Sequence, residues 1–264
     1  MYTFDYQRPA DRAAAAAAFK GDARYLAGGQ SLVQAMKLRL SSSERLVDLG
    51  GIADLRGICV DAGVLSIGAM STHASVANSA DVQRAIPALA ELAGGIGDPM
   101  VRNLGTLGGS VANADPAACY PAALLALGAT VHTDQRSIAA EVFFTGVFQT
   151  ALRDGELITA VSFPPPKRAA YVKHKQPASR FALVGVFVSQ GDAGVRVAVT
   201  GAKAFVFRHT AMEAALNNRF TPEAALAVSL PASDVNADLH GSAEYRAAMV
   251  GVMASRAVAA ALAR

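Results

Sequence analysis

A chain of 264 residues, with 52% hydrophobic and 17% charged residues, is long enough to bury one or two cores and too apolar to be disordered. The formal net charge is +3, and the lysines and arginines are scattered rather than interleaved with aromatic residues, which argues against a nucleic-acid-binding function. Apolar runs are interrupted well before the roughly 18 residues of a membrane span, and no basic leader precedes an apolar stretch, so we expect a cytoplasmic protein.

The cysteines and histidines give little support for a metal site. Cys59 and Cys119 are too few for a four-thiolate cluster or a disulfide framework, so any iron–sulfur centre would lie on another chain. No two histidines have metal-ligand spacing. We predict no metal ligands, and we expect surface or helix-capping positions for the five histidines: His73, His132, His174, His209 and His240.

The first fifty residues have the pattern of a parallel strand–helix–strand unit. Proline and glycine flank a predicted helix over 11–20. A strand over 23–27 leads into the pair Gly28–Gly29, after which apolar residues at helical spacing predict a helix over 32–40. A second strand is predicted over 45–49, and a helix between two strands indicates a small parallel sheet.

The middle of the chain is predicted to contain two strands and three helices: strands over 64–69 and 156–163, and helices that start at Thr72 and cover 81–93 and 120–127. Between them, residues 94–118 are rich in Gly, Asp, Asn and Pro. We predict a long loop there, and loops of that length inside a compact domain usually carry function.

Three consecutive prolines at 164–166 predict a domain boundary, because proline continues neither a sheet nor a helix. We therefore expect an N-terminal domain over 1–165, with subdomains of about 1–55 and 56–165, and a smaller C-terminal domain over 166–264. Residues 180–190 and 195–207 flank GDAG and predict an antiparallel hairpin.

Helices are predicted for the rest of the C-terminal domain, over 210–217, 221–229 and 242–263. Ser242 is the expected cap of the last helix. Its apolar spacing predicts an inward face made of Tyr245, Met249, Val252, Met253 and Ala260. The predicted fold class is α+β: a parallel βαβ subdomain, a mixed or antiparallel sheet subdomain, and a C-terminal domain of antiparallel sheet and helices.

Two glycine-rich stretches are candidate ligand loops, AGGQS at 27–31 and TLGGS at 106–110. Either loop alone is as readily a tight turn. Hydrogen bonds to a charged group contribute about 1.5 to 3 kcal/mol each, so two loops that converge on one diphosphate would support the roughly 8 kcal/mol of micromolar affinity. The G-x-G-x-x-G, G-x-x-x-x-G-K-[ST], H-E-x-x-H and G-x-S-x-G motifs are absent. These residues predict a dinucleotide held between two loops, and they do not identify which dinucleotide it is.

Longer motifs resemble a known family. AGGQSLVQAMKLRL, IGDPMVRNLGTLGGSVANADPAA, the helix PAALLALGA and the terminal SAEYRAAMVGVMASRA are together similar to the FAD-binding medium subunit of the molybdenum hydroxylases, which include carbon monoxide and xanthine dehydrogenase relatives. The similarity covers nearly the whole chain in order. The resemblance implies that FAD binds between the two parts of the N-terminal region.

The resemblance also assigns residues to the FAD site. It places the pyrophosphate on backbone amides of the first loop and its following helix, a second loop beside it, two polar contacts, two apolar neighbours of the flavin and one lysine near the ring. The residues of the first loop and its helix are Ala27, Gly28, Gly29, Gln30, Ser31 and Leu32, and those of the second loop are Thr106, Leu107, Gly108, Gly109 and Ser110. The polar contacts are Asn113 and Asp115, the apolar neighbours of the flavin are Ile96 and Ile158, and the lysine near the ring is Lys173.

Three further positions carry qualifications. Cys119 stands where many relatives have an acid that reaches the cofactor. Asp115 precedes a proline, so a turn-initiating role is an alternative to a cofactor contact. His174 follows Lys173 and is the one histidine with a possible place near the flavin edge.

The family's function is electron transfer. The resemblance implies a partner chain with a molybdenum cofactor that hydroxylates the substrate, a partner chain with two [2Fe–2S] clusters that reduces the FAD, and an external acceptor, in a dimer of heterotrimers. It implies no catalytic residue for substrate on this chain. Three alternatives stay open: a stand-alone FAD oxidase or dehydrogenase, a reductase that uses NAD alone, and a non-enzymatic scaffold that has lost its cofactor.

Overall fold

The N-terminal segment forms a three-stranded parallel sheet in a computed structural model that describes residues 1–264. Its elements are β1 (Asp5–Gln7), α1 (Arg12–Ala18), β2 (Ala23–Leu26), α2 (Leu32–Lys37) and β3 (Arg45–Asp48). The strand order is β1-β3-β2, with both pairs parallel, which confirms the predicted βαβ unit and adds β1. Helix α2 is shorter than predicted because Arg39 takes a left-handed backbone conformation, with φ of 60°.

A second, antiparallel sheet follows in the chain. Its region contains β4 (Ile58–Asp61), β5 (Val64–Gly68), α3 (His73–Asn78), α4 (Ala80–Ala85), α5 (Pro87–Gly94), α6 (Pro99–Leu104), α7 (Leu107–Asn113), α8 (Tyr120–Leu127), β6 (Thr130–Thr133), β7 (Ser137–Ala139), β8 (Phe144–Gly146), β9 (Gln149–Thr150) and β10 (Ile158–Phe163). The strand order is β4-β5-β10-β6-β7, and β8 pairs with β9 separately. The predicted helix over 81–93 is divided at Pro87, which begins α5.

The loop predicted over 94–118 is wrong, because the segment contains two capped helices. Asp98 accepts a hydrogen bond from Val101 N at 2.9 Å and begins α6, while Thr106 Oγ1 accepts one from Gly109 N at 3.1 Å and begins α7. Gly108 and its neighbour lower helix propensity by about 1 kcal/mol each, which hides α7 from a propensity-based prediction. The packing requires them: a Cβ on Gly108 would lie 2.6 Å from the Cβ of Ala69.

The C-terminal part is a four-stranded antiparallel sheet covered by helices. Its elements are β11 (Arg168–Lys175), β12 (Ala182–Gly191), β13 (Gly194–Thr200), β14 (Phe207–Arg208), α9 (Thr210–Asn218), α10 (Pro222–Leu226) and α11 (Ala243–Leu262). The predicted hairpin is confirmed as β12–β13. Phe187 and Ala198 pack into the core that contains α8, whereas Val186 and Val197 pack with α11, so both faces of the sheet are buried. The α+β class is confirmed.

The inward face predicted for α11 is confirmed except at Tyr245: Met253 is buried in the core, and Met249, Val252 and Ala260 are partly buried against it. Ser242 caps the helix as predicted, accepting from Tyr245 N at 3.2 Å, but Tyr245 itself is 43% exposed. The buried residues are Arg246, Val250, Gly251, Met253, Ala254, Ala257, Val258 and Ala261. The inner face also carries a charge. The Arg246 guanidinium donates to Leu183 O at 2.9 Å and to Gly201 O at 2.7 Å.

No helix of the fold combines the length and hydropathy that crossing a bilayer requires.

We predict unequal losses of stability for two α11 residues that the sequence pattern places on the same face. Met253→Ala removes a side chain that is 1% exposed and should lower the free energy of unfolding by about 2–5 kcal/mol. Tyr245→Ala, at an exposed position, should cost about 1 kcal/mol or less. Urea denaturation of the two variants measures both values, and equal losses would contradict the observed phase of α11.

Candidate functional site

A cavity of about 390 Å³ lies where the parallel sheet, the antiparallel sheet and the end of strand β11 meet. Every residue that the resemblance assigned lines this cavity except one: Ala27, Gly28, Gly29, Gln30, Ser31, Leu32, Ile96, Thr106, Gly108, Gly109, Ser110, Asn113, Asp115, Ile158 and Lys173. Leu107 is the exception. As the first residue of α7 it points into the core and is 0% exposed, so it contributes packing and not a cavity wall.

The two glycine loops (residues 27–31 and 106–110) meet at this cavity through backbone contacts. A Cβ on Gly28 would overlap the carbonyl oxygen of Leu104 and lie 2.7 Å from the Cα of Gly105. A Cβ on Gly109 would lie 3.2 Å from the Cβ of Ala27. Glycine is therefore required at Gly28 by the close approach of the segment that leads into the second loop.

The first loop presents unbonded amides to the cavity. The N–H groups of Gly28, Gly29, Gln30 and Ser31 donate to no protein atom. Gly29 has a φ of +68°, a conformation that turns successive amides toward one side. A row of free N–H groups next to a helix start is a site for an anionic group such as a phosphate.

The second loop differs, because its amides already have acceptors. Leu107 N donates to Ser71 O at 3.0 Å, Gly108 N to Ala69 O at 2.8 Å, and Gly109 N to Thr106 Oγ1 at 3.1 Å. The two loops, expected from the sequence to converge on one diphosphate, therefore differ in their free backbone donors. The structure gives the second loop the role of a rigid wall that is anchored to the antiparallel sheet, and leaves polar side chains along α7 to face the cavity.

Asp115 combines the two roles that the sequence left open. Its Oδ1 accepts a hydrogen bond from Ala117 N at 2.8 Å, which is the turn-initiating geometry, and the residue also lines the cavity. Burial raises the pKa of its carboxyl group, because the charged form loses hydration.

Lys173, on strand β11, lines the cavity near the apolar Ile96. Its ammonium group donates to Gly95 O at 2.9 Å, to Arg180 O at 2.8 Å and to Cys119 Sγ at 3.4 Å. Cys119 is buried and lines the cavity as an acceptor for this lysine.

The expectation of a surface or helix-capping position is wrong for His73. His73 is buried, lines the cavity and lies with its ring centroid 5.4 Å from that of Tyr120. Burial, with a smaller effect of the Arg102 charge, lowers the pKa of His73 to about 4, so this imidazole is neutral at pH 7. His174 does not line the cavity; its Nε2 lies 3.1 Å from the hydroxyl of Tyr245. His73 N donates to Gly105 O at 2.9 Å. This contact joins residues far apart in the chain, and local spacing gives no signal for it.

The buried carboxylate of Glu156 belongs to the cavity lining and was not found from the sequence. The Glu156 side chain is fully buried, and its oxygens accept from Arg136 at 2.9 and 3.0 Å, from Thr133 Oγ1 at 2.8 Å and from Arg153 N at 2.8 Å. These donors, the Arg136 guanidinium first, hold the pKa of Glu156 at about 2. No group of three His, Cys, Asp or Glu residues in the molecule is arranged to hold a metal ion.

The comparison with known proteins identifies the family. Residues 2–166 match the family described as "FAD binding domain in molybdopterin dehydrogenase". The chain belongs to this FAD-binding family. The predicted resemblance is therefore confirmed, and both glycine loops and α7 fall within the matched residues, whereas the cavity wall also includes residues 173 and 179–181 beyond them.

Relatives along the whole chain are oxidoreductase subunits. The carbon monoxide dehydrogenase medium chain of Hydrogenophaga pseudoflava is 36% identical over 92% of this chain and 90% of its own length. The nicotine 6-hydroxylase medium subunit of Paenarthrobacter nicotinovorans is 35% identical over 92% and 91%. As a member of this family, the chain is an oxidoreductase flavoprotein subunit.

Solved structures show the same fold. Carbon monoxide dehydrogenase from Hydrogenophaga pseudoflava superposes with a TM-score of 0.90 at 35% identity, covering 98% of this chain and 97% of the other. Quinoline 2-oxidoreductase from Pseudomonas putida 86 gives 0.90 at 28% identity, with the same coverage. The α+β arrangement is thus the arrangement of this family.

We predict a specific pH dependence from Glu156. Its pKa lies near 2 in the folded chain and near 4.5 when unperturbed, so its contribution to stability is complete above about pH 4.5 and is lost as the pH falls toward 2. Glu156→Gln should lower the free energy of unfolding by about 2–3 kcal/mol at pH 7 and flatten its decline between pH 5 and 3. Asp61→Asn, at an exposed carboxylate, is the matched control. Urea titrations across this range give both quantities, and parallel curves for wild type and Glu156→Gln would contradict the assignment.

Proposed function

We propose that this chain holds FAD between its two glycine loops and transfers electrons within a multi-subunit molybdenum hydroxylase. The observation that carries the proposal is the row of free amides in the first loop, at the wall of the cavity where the two loops meet. In the proposed complex a partner chain with two [2Fe–2S] clusters supplies electrons, and an external acceptor removes them. Another partner chain, with a molybdenum cofactor, hydroxylates the substrate.

The residues present fit the cofactor. Four free amides in Gly28–Ser31 match the charge of a diphosphate, and each hydrogen bond to a charged group contributes about 1.5–3 kcal/mol. The cavity of about 390 Å³ lies within the usual range for ligand sites. When bound, FAD supplies the redox chemistry.

We assign the remaining cavity residues to orientation and exclusion of water. Thr106, Gly108, Gly109 and Ser110 would form the close wall beside the diphosphate, and Leu32 and Gln30 its neighbouring edge. Asn113 and the free oxygen of Asp115 would accept or donate hydrogen bonds to polar parts of the cofactor, while Ile96 and Ile158 would contact the apolar ring. No residue of this chain acts on the hydroxylated substrate.

The wider assembly is part of the same proposal. We propose domains over 1–165 and 166–264 and a dimer of heterotrimers with a large molybdenum subunit and a small iron–sulfur subunit. The "medium chain" names of the carbon monoxide dehydrogenase relatives support a three-chain unit. Two free cysteines support a reducing compartment, the cytoplasm.

Co-purification tests the assembly directly. Isolated from its native source, the chain should be yellow, accompany two other chains, and bring molybdenum and iron with it. Acid precipitation should release the flavin into the supernatant; a flavin that stays with the precipitate would favour the stand-alone oxidase. A colourless chain that FAD does not reconstitute would favour the scaffold.

Gly109→Val tests the site. The valine side chain would enter the space between Thr106 and Ala27 and push the loops apart, so the FAD dissociation constant should rise at least about 10-fold. Titration of the apoprotein, followed by flavin fluorescence, measures it. Gly191→Val is the matched control, because a Cβ there would meet no atom within 4 Å. Wild-type affinity for FAD in a folded Gly109→Val variant would show that the second loop is not part of the FAD site.

A further inference from the structure

Three consecutive carbonyl groups beside the cavity are held by three cationic side chains. The strap, defined here as residues 95–97 between α5 and α6, directs Gly95 O to Lys173 Nζ at 2.9 Å. Arg102 donates to Ile96 O and Gly97 O, each at 3.0 Å. Arg180 donates to Gly97 O at 3.2 Å. A short segment without helix or strand structure is thereby fixed by charge-assisted hydrogen bonds from three separate elements.

The same lysine fixes a second segment from the other part of the chain. The hairpin tip, residues 176–181, joins β11 to β12, and its Arg180 O accepts from Lys173 Nζ at 2.8 Å. Arg180 has a φ of 61°, a left-handed conformation that is strained for an arginine and is kept only where surrounding contacts hold it. Lys173 and Gly97 O provide those contacts.

The ammonium of Lys173 is fully used by the protein. It has three N–H donors, and three acceptors lie within reach: Gly95 O, Arg180 O and Cys119 Sγ. No donor is left for a ligand. Through these bonds Lys173 holds the two segments together.

Those two segments form part of the cavity wall. The strap contributes Ile96 and Gly97, and the hairpin tip contributes Ser179, Arg180 and Phe181. Phe181 is 46% exposed, at the edge where the cavity opens. A contact that ties the strap to the hairpin tip therefore closes one side of the site.

We propose that Lys173 is a positioning residue that joins the strap to the hairpin tip and slows the release of FAD. The clasp is defined as the hydrogen bonds of Lys173 to Gly95 O and Arg180 O together with that of Arg180 to Gly97 O. The proposal rests on the proposed FAD site. Arg180 is the second member of the clasp, since it connects the same two segments through its side chain. Lys173 acts on the cofactor through Ile96 and Phe181 and not through a bond of its own.

Hydrogen exchange of the full-length chain tests the clasp without any cofactor. The amides of Ile96, Gln176 and Arg180 each have a backbone acceptor and report on the two segments. In Lys173→Met they should exchange at least about 10-fold faster, while amides of the β12–β13 hairpin keep their wild-type rates. Lys175→Met is the matched control, because Lys175 lies on the same strand, is exposed and has no side-chain hydrogen bond.

FAD release measures the functional consequence. Lys173→Met should raise the dissociation rate of FAD about 10- to 100-fold. Arg180→Asn keeps the left-handed conformation and the carbonyl group but removes the bond to Gly97, and should raise the rate about 3- to 10-fold. Because both residues hold one clasp, the double variant should release FAD little faster than Lys173→Met.

The outcomes separate the clasp from its alternatives. Unchanged exchange in Lys173→Met, with a shifted flavin midpoint potential, would overturn the clasp in favour of direct action of the charge. Multiplicative effects in the double variant would also overturn it, since they indicate independent roles. If the wild-type chain does not bind FAD, the proposed function fails, and the exchange rates still decide whether the two segments are tied.

Discussion

The site depends on one contact, the backbone of Gly28 against Leu104 and Gly105. This contact leaves no space for a side chain and joins the parallel sheet to the helical segment that precedes α7. The joining of these two units creates a cavity between them. It also positions the turn at Gly29, whose neighbouring residues line the cavity and have free amides. The entropy that glycine loses on folding is offset by access to a conformation that other residues reach only with strain.

The two glycine loops contribute to the site in different ways. The backbone amides of the second loop donate to Ser71, Ala69 and the loop's own Thr106 cap, so this loop is held in place without a ligand. The first loop has free amides and packs against the second loop, where Ala27 lies next to Gly109. A preorganised donor set of this kind reduces the ordering cost that a ligand has to overcome. Rigidity and donor capacity therefore come from separate segments of the chain.

The C-terminal part of the chain completes the cavity. Its sheet is buried on both faces, by α8 on one side and α11 on the other, and this holds strand β11 in place. Strand β11 in turn carries Lys173 to the strap. Buried or half-buried charges follow the same rule throughout: Glu156, Arg246 and Lys173 each have a set of hydrogen-bonding partners, which avoids the cost of an unpaired charge in the interior. These networks fix loop geometry that apolar packing alone would leave loose.

The sequence by itself determined the family, the α+β class, the βαβ unit, the β12–β13 hairpin and most of the cavity residues, because these depend on local periodicity, turn residues and long motifs. It misjudged the segment over 94–118, where glycines needed for packing resemble loop formers, and it placed the exposed Tyr245 rather than Arg246 on the inward face of α11. Only the tertiary structure decided which amides are free, that Leu107 faces the core, that His73 is buried, and that Lys173 joins two distant loops. The physical reason is that a hydrogen-bond donor takes its partner from whichever segment folding brings near, and that partner is often remote in the chain.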